Sequence, residues 1–441
     1  FWLKSLCAPG LGPEDRIKLK RLAFASASMQ RSLCHVTLWA FLGWSVHAEQ
    51  DLDLILYGAD GCVGHFAASH LAQQSGLRWA IAGRTEAHLR ELVDELAKEG
   101  GNSSKPEVIV ASLDGKVDPK TWVTRAKAVI SAAGPFSAHG GELVVRACAE
   151  SGVNYADTSD EFYWQRRMVD GYDAAAQKSG AKVVLATGFC VLAGDLGSQL
   201  ALGGLGAAHG SDEASLDAWL ETYNGGLSAG VLNTMHAMKN ASYPKEWNTD
   251  PYVLAPKADV ALRVDTEVEG MRYPSYVSGE GLIVSNIFGP YDARLLRRTF
   301  TQLGQKVHLR VGASSGMYPR WTAFLAEHPG SWSQLAKCPS PTLYKDGAWA
   351  YRFKASRNGR SHTVLLSGSG DPGYRFTALG LAETGLCLAG KTPGCLKDGS
   401  HGGVYTTMST MDAARFLNRL KSVDLIKAET WSSEEEAEIV V

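Results

Sequence analysis

Residues 54–66 read LILYGADGCVGHF: three glycines at intervals of three, directly after an apolar run and before a helical pattern. A strand that ends in glycines and opens into a helix presents free backbone N–H groups and a positive helix end. That combination suits a pyrophosphate, and it is how a dinucleotide-binding βαβ unit begins. The spacing assigns Gly58 to the tight turn, Gly61 to close approach of the phosphates, and Gly64 to packing of helix on strand. Cys62 and Val63 then supply backbone donors. A lone glycine pattern is weak; here its context supports it. As far as about residue 186, short apolar runs alternate with helical patterns. The strands are LILYG, RWAIAGR, PEVIVASL, AKAVISAAG, VNYADTS and AKVVLATG, and the helices span 64–74, 86–98, 141–150 and 162–178. Apolar strands joined through helices require a parallel sheet covered on both faces. The fold class is α/β, with an N-terminal doubly wound (Rossmann) sheet over 50–188.

Beyond residue 188 the chain is richer in Gly, Ser and Thr, with alternating runs such as SLDAWLETY, KVHLRVGAS and WAYRFKASR. An inserted α+β domain with an antiparallel sheet is expected over 189–365, followed by C-terminal helices over 366–421 that return to the first domain. An acidic tail is expected over 422–441, with its end, SSEEEAEIVV (432–441), disordered. Residues 1–28 read as translated upstream sequence, FWLK suiting the end of a trans-spliced leader. From Met29 to Ala48 a basic residue, an apolar run and small residues at the end give the layout of a secretory signal peptide. An amphipathic helix packed on the domain is the alternative. The expected location is the secretory pathway or an endomembrane or lipid surface, with the cytoplasm as alternative.

A net charge of −2 leaves no electrostatic footprint for nucleic acid. Eight cysteines show no CxxC pair and no metal-ligand spacing, so no metal is expected. Buried free thiols are the expectation, with a Cys338–Cys395 pair open to an oxidising compartment.

Arg84 follows the second strand, where an NAD-preferring fold carries an acid. A guanidinium there grips a 2′-phosphate and Thr85 adds a hydroxyl, which selects NADP(H). Asp60 repels phosphate unless it turns away, and the expectation is that it caps the following helix through the N–H of Cys62 or Val63. After the fourth strand, Ala133, Gly134 and Pro135 allow close approach to the cofactor, and Phe136 is expected to pack on its ribose or nicotinamide. His139, Asp157 and Glu161 are the candidate acids or orienters, with Asp160 beside them. Each has a plainer role open to it, as loop scaffold or helix cap.

The ordered set GADGCVG, AGR, AGPFSAHGGELVVRACAESGVNYADTSDE and GDPGYRFTALGLAETGLCLA…GGVYTT resembles the saccharopine dehydrogenase-like oxidoreductases, nearest the trans-acting enoyl reductases and their eukaryotic relatives. The resemblance covers roughly residues 52–420. It implies a nucleotide-binding domain, an inserted second domain, and reduction of an unsaturated acyl chain delivered by a separate synthase for lipid or glycolipid products. Asp60 stands where that family usually has Thr or Ser, and Phe136 where it usually has Tyr. The expected partners are a small-molecule or carrier-bound acyl substrate, with lipid-surface association and a homodimer left open. Two other readings stand beside enoyl reduction. One is imine reduction of the saccharopine type, for which the cations of RLLRR (294–298) are available but are expected to form a solvated face. The other is a non-catalytic, nucleotide-binding scaffold.

Overall fold

β1 (Leu52–Tyr57) is six residues long and wholly buried, which places it at the centre of a sheet covered on both faces. The computed structural model describes residues 50–100, 104–207, 212–226, 229–266, 275–277, 281–286, 288–316, 338 and 341–434. The upstream and signal-like stretches therefore lie outside the described residues.

From β1 the chain runs through α1 (Cys62–Leu71), β2 (Trp79–Gly83), α2 (Glu86–Lys98), β3 (Glu107–Val110), α3 (Lys120–Val123), β4 (Ala126–Ser131), α4 (Gly141–Ser151), β5 (Asn154–Asp157), α5 (Phe162–Ser179) and β6 (Lys182–Val184). All these strands pair in parallel. α6 (Phe189–Gly204) then leads to β7 (Glu213–Asn224), α7 (Ala229–Asn240), β8 (Ser275–Val277), β9 (Gly281–Val284), α8 (Gly289–Gln302) and β10 (Lys306–Ser314). The last part holds α9 (Pro341–Asp346), β11 (Ala348–Arg357), β12 (Arg360–Ser369), α10 (Thr377–Leu388), β13 (Gly403–Tyr405), α11 (Thr407–Thr410), α12 (Ala413–Ser422) and β14 (Lys427–Glu434).

Two seven-stranded sheets result, in the orders β13-β6-β5-β4-β1-β2-β3 and β14-β12-β11-β7-β10-β9-β8. The first is the Rossmann sheet. Its seventh strand, β13, comes from a stretch expected to be helical and pairs with β6. The second sheet is mixed rather than antiparallel, because β7 and β10 run parallel in register from Glu213–Lys306 to Leu220–Ala313. The acidic tail is also partly structured: Lys427–Glu434 forms an edge strand on β12 that runs into the first residues of the stretch expected to be disordered. Its Thr430, Trp431 and Ser432 continue a β-favouring pattern that the glutamates beyond them obscure.

One continuous core joins both sheets, from Leu54, Leu56 and Ile81 through Leu192 and Leu196 of α6 to Tyr351 and Phe353 of β11. Gly197 makes that closeness possible, since a Cβ there would fall 2.1 Å from the Phe353 ring. At the junction Phe189, Trp349 and Phe376 meet edge to face, with centroids 5.0–5.3 Å apart. On the far side of the Rossmann sheet Asp53, fully buried, is held by Arg78, Lys127 and Lys391, each at 3.0 Å. Lys391 thereby fastens the segment after α10 to the first strand.

The cations of RLLRR are not solvated. Arg294, Arg297 and Arg298 are buried because α8 packs between α6, α11 and β10. Arg294 donates to the carbonyls of Pro290 and Asn248, and Arg298 to those of Leu254 and Val404. Arg297 pairs with Asp265. The cysteines differ from expectation as well. Cys62 joins Cys338 and Cys387 joins Cys395, while Cys148 is a buried free thiol and Cys190 a half-buried one. Among the described residues no helix is long and apolar enough to cross a membrane.

Candidate active site

The C-terminal ends of β1, β4, β5 and β6 share one edge of the parallel sheet, where folds of this architecture bind ligands. After β1 the chain turns at Gly58, whose φ of +79° is left-handed backbone; a Cβ there would also stand 2.9 Å from that of Ala133. Gly61 is the N-cap of α1 and provides no side-chain cap. A Cβ on Gly64 would come 2.1 Å from the Gly58 carbonyl oxygen, so helix and turn are in direct contact. The N–H groups of Cys62 and Val63 thus have neither a helical carbonyl nor a capping side chain as partner. The loop is an anion cradle.

Asp60 does not cap α1. A cap acts from the N-cap position on the N–H two or three residues on, and here that position is Gly61, which leaves Asp60 one residue too early. Its carboxyl lies instead over the end of β2. One oxygen stands 3.4 Å from where a Gly83 Cβ would be, and the other 3.9 Å from His88 Nδ1. This is the strand end at which a dinucleotide places its adenosine ribose. Arg84 and Thr85 are exposed at the same strand end, and Thr85 makes no capping bond with α2. Among the described residues the Arg84 guanidinium has no hydrogen-bond or ion-pair partner. Burial pushes the nearby Tyr57 hydroxyl up to about 12, with Arg84 and Asp60 acting on it in opposite senses.

The loop after β4 is tied down from below. Glu161, with no exposed surface, accepts the backbone N–H of Phe136 at 2.5 Å and of Ser137 at 3.2 Å, and the Tyr163 hydroxyl at 3.0 Å. Its carboxylate is spent on positioning the loop. Phe136 is not available to a cofactor: the ring is 2% exposed and packs on Trp164, because the loop turns it into the core. What the loop offers is the exposed backbone at Gly134, beside Ala133 and above a buried Pro135. His139 stands exposed on the outer side of this loop, its backbone N–H bonded to the Pro135 carbonyl.

Asp157 is equally committed. It accepts the N–H and hydroxyl of Ser159, the N–H of Ala186 at 3.0 Å and the Tyr155 hydroxyl at 3.2 Å, and burial pushes it up to about 6 despite those donors. Ala186, at φ 64°, sits in the left-handed region that a β-carbon disfavours, and Asp157 holds it there. Asp160 is the exception. Among the described residues its only donor is its own backbone N–H. Burial, then the charges of Glu161 and Asp157, push it up to about 7. Above it docks the first turn of α8: Tyr291 donates to the Ser159 carbonyl at 2.6 Å and receives Gln165 at 2.7 Å. The adjacent Asp292 is 1% exposed, neither of its oxygens has a partner among the described residues, and burial raises its carboxyl well above the usual carboxylate range. Sequence reasoning had no signal for Ala186, Tyr291 or Asp292, since GPYDARLLRR reads as an ordinary helix start with an acid in its first turn.

Residues 54–184 match the family model described as the saccharopine dehydrogenase NADP binding domain. Over those residues the chain is an NADP-binding domain of the saccharopine dehydrogenase kind. Its cofactor is NADP(H), for which the cradle and the unpartnered Arg84 are suited. A Mycobacterium tuberculosis protein provisionally named a trans-acting enoyl reductase is 26% identical over 379 residues, 77% of this chain and 89% of that protein. The trans-acting enoyl reductase of Mycobacterium ulcerans is 30% identical over 273 residues, 57% of this chain and 62% of its own length. Among solved structures, apo saccharopine dehydrogenase (L-Glu forming) of Saccharomyces cerevisiae aligns with 86% of this chain and 99% of its own at 12% identity and a TM-score of 0.45.

Proposed function

We propose that this saccharopine dehydrogenase-like oxidoreductase reduces a carbon–carbon double bond conjugated to the carbonyl of an acyl, lipid-like substrate. The observation that carries the reading is Asp160, the carboxyl at the nicotinamide end of the sheet that is not consumed by its neighbours and whose pKa of about 7 suits a proton donor. NADPH, when bound, supplies the hydride. The chain's part is to cradle the pyrophosphate with the Gly58–Gly64 turn, to grip the 2′-phosphate with Arg84 and Thr85, and to present the Gly134 backbone to the nicotinamide end. Asp160 gives its proton to the carbon next to the carbonyl, so that hydride and proton together saturate the bond. Relatives that carry the enoyl reductase name support this substrate class.

Imine reduction on an amino acid with several carboxylates calls for converging free cations. The buried arginines of α8 are instead committed to backbone carbonyls and to Asp265, which favours the enoyl reading. The test is to follow NADPH absorbance with α,β-unsaturated acyl thioesters of increasing length. Turnover that Asp160→Asn removes without weakening NADPH binding is the expected result. Turnover with cyclic imines alone would replace the substrate class, and tight nucleotide binding with neither substrate turned over would favour the scaffold.

A further inference from the structure

Asp160 stands just before α5, which begins at Phe162. The helix rises about 1.5 Å per residue, so Arg166 and Asp170 lie roughly 6 and 12 Å along it. There a cavity of about 120 Å³ opens between α5 and the segment 247–263. A row of stacked rings connects it to the nicotinamide end of the sheet. The Tyr163 hydroxyl bonds that of Ser137, in the loop after β4, at 2.9 Å. The Tyr163 ring stacks on Tyr243 with centroids 5.2 Å apart, and Tyr243 stacks on Trp247 at 6.3 Å. Trp247 lines the cavity, and both it and Tyr243 are half-buried, so the row keeps accessible surface.

The lining carries three cations, Arg166, Lys257 and Arg263, against two acids, Asp170 and Asp250. Arg166, 5% exposed, is occupied: it donates to the carbonyls of Val253 and Ala255 at 3.1 and 3.2 Å and pairs with Asp170. Lys257 reaches the same Asp170 at 3.4 Å from an exposed position. Asp250 accepts the backbone N–H of Tyr252 at 2.8 Å. Arg263 is the group left wanting. It donates to the Pro256 carbonyl at 3.2 Å, but among the described residues its buried Nε has no partner. A guanidinium N–H buried without an acceptor costs free energy, so the cavity calls for an anion.

Resting on the acyl reading above, we propose that this cavity is a phosphate subsite. It takes the phosphate ester of the group that carries the acyl chain, and the Tyr163–Tyr243–Trp247 row lies along the arm between phosphate and reacting bond. Arg263 and the mobile ammonium of Lys257 suit a group with oxygens on several sides, whereas a planar carboxylate is matched by one guanidinium fork. The stretch of α5 between Asp160 and the cavity keeps the phosphate away from the bond being reduced. The phosphate therefore belongs to the carrier and not to the reacting end.

The test is titration calorimetry on the full chain with saturated acyl probes, which hold no bond to reduce. One pair is an acyl phosphopantetheine and the same acyl pantetheine; the other is a monoacylglycerol phosphate and the same monoacylglycerol. In at least one pair the phosphate should tighten binding about tenfold or more, as charge-assisted contacts do. A gain in the first pair assigns the phosphate to a thioester arm, and a gain in the second alone assigns it to a lipid headgroup. Arg263→Gln should remove most of that gain, and so, independently, should Lys257→Gln, whose exposed side chain is not needed for folding. Equal affinity within both pairs would overturn the subsite even if enoyl thioesters are turned over. A gain that survives both substitutions would overturn it as well. A gain that both substitutions remove, in a protein that turns over no enoyl substrate, would uphold the subsite and strike only the reduction chemistry.

Discussion

Glu161 accepts the backbone N–H of Phe136 at 2.5 Å and so fixes the loop after β4 to the start of α5. A buried carboxylate that satisfies two backbone donors and a tyrosine hydroxyl cannot be removed without leaving them unpaired. Glu161→Ala should lower stability by about 1–3 kcal/mol for the stranded donors. Because the loop carries the exposed Gly134, nucleotide affinity should fall with it. Denaturant unfolding with and without NADPH checks both effects; an unchanged midpoint would mean that the loop holds itself.

Asp160 predicts the opposite pattern. Among the described residues it has no donor outside its own backbone to strand, so Asp160→Asn should fold at least as well as the parent while losing turnover. The acid must be protonated to act, and its pKa is raised to about 7. The rate should therefore be level in mild acid and decline as pH rises through neutrality. A pH–rate profile rising through neutrality would remove Asp160 as donor.

The sheet and the cradle were legible because their signals are local: strand period, glycine spacing and a helix pattern beginning at Glu86. What escaped depends on partners distant in sequence. Whether Asp157, Asp160 or Glu161 is free is decided by Ala186, by the N–H groups of Phe136 and Ser137, and by Asp292 on α8. The arginines of RLLRR looked solvated because helical spacing alone cannot show that carbonyls of residues 248 and 254 receive them. Asp60 was misread by a single position, since a cap depends on where the helix starts.

Asp60 and Arg84 should set nucleotide preference between them. Arg84 has a guanidinium without a partner among the described residues at the end of β2, and Asp60 places a negative charge at the same strand end. Arg84→Asp should abolish preference for NADPH over NADH, at about 1–3 kcal/mol for a charge-assisted contact. Asp60→Asn should raise NADPH affinity and leave NADH less affected, because the repelled charge is the 2′-phosphate. Titrating both nucleotides into both variants separates the effects; equal gains for NADH and NADPH would mean that Asp60 acts on the pyrophosphate instead.

Folding stability should be greatest on the acid side of neutrality. Burial raises Asp157 and Asp195 to about 6, and Asp160 and Asp371 to about 7, from a usual value of 3.8. In each case the folded state holds the proton more tightly than the unfolded chain, so stability falls as pH climbs through those values. Asp53 and Glu383 work the other way. Burial opposes their charge, but Arg78, Lys127 and Lys391 on one, and His70 and Arg419 on the other, hold them below their usual values. The stability that these two contribute is present above the ordinary carboxylate range and lost in stronger acid. Thermal unfolding without nucleotide should therefore show a maximum at about pH 4 and a decline up to about pH 7. Asp160→Asn, which removes a raised group and strands no partner, should make that decline shallower. Asp53→Asn should destabilise near neutrality and converge on the parent at low pH. A melting temperature that rises steadily from pH 5 to pH 8 would mean that these buried carboxyls are charged and paired in a way the structure does not show.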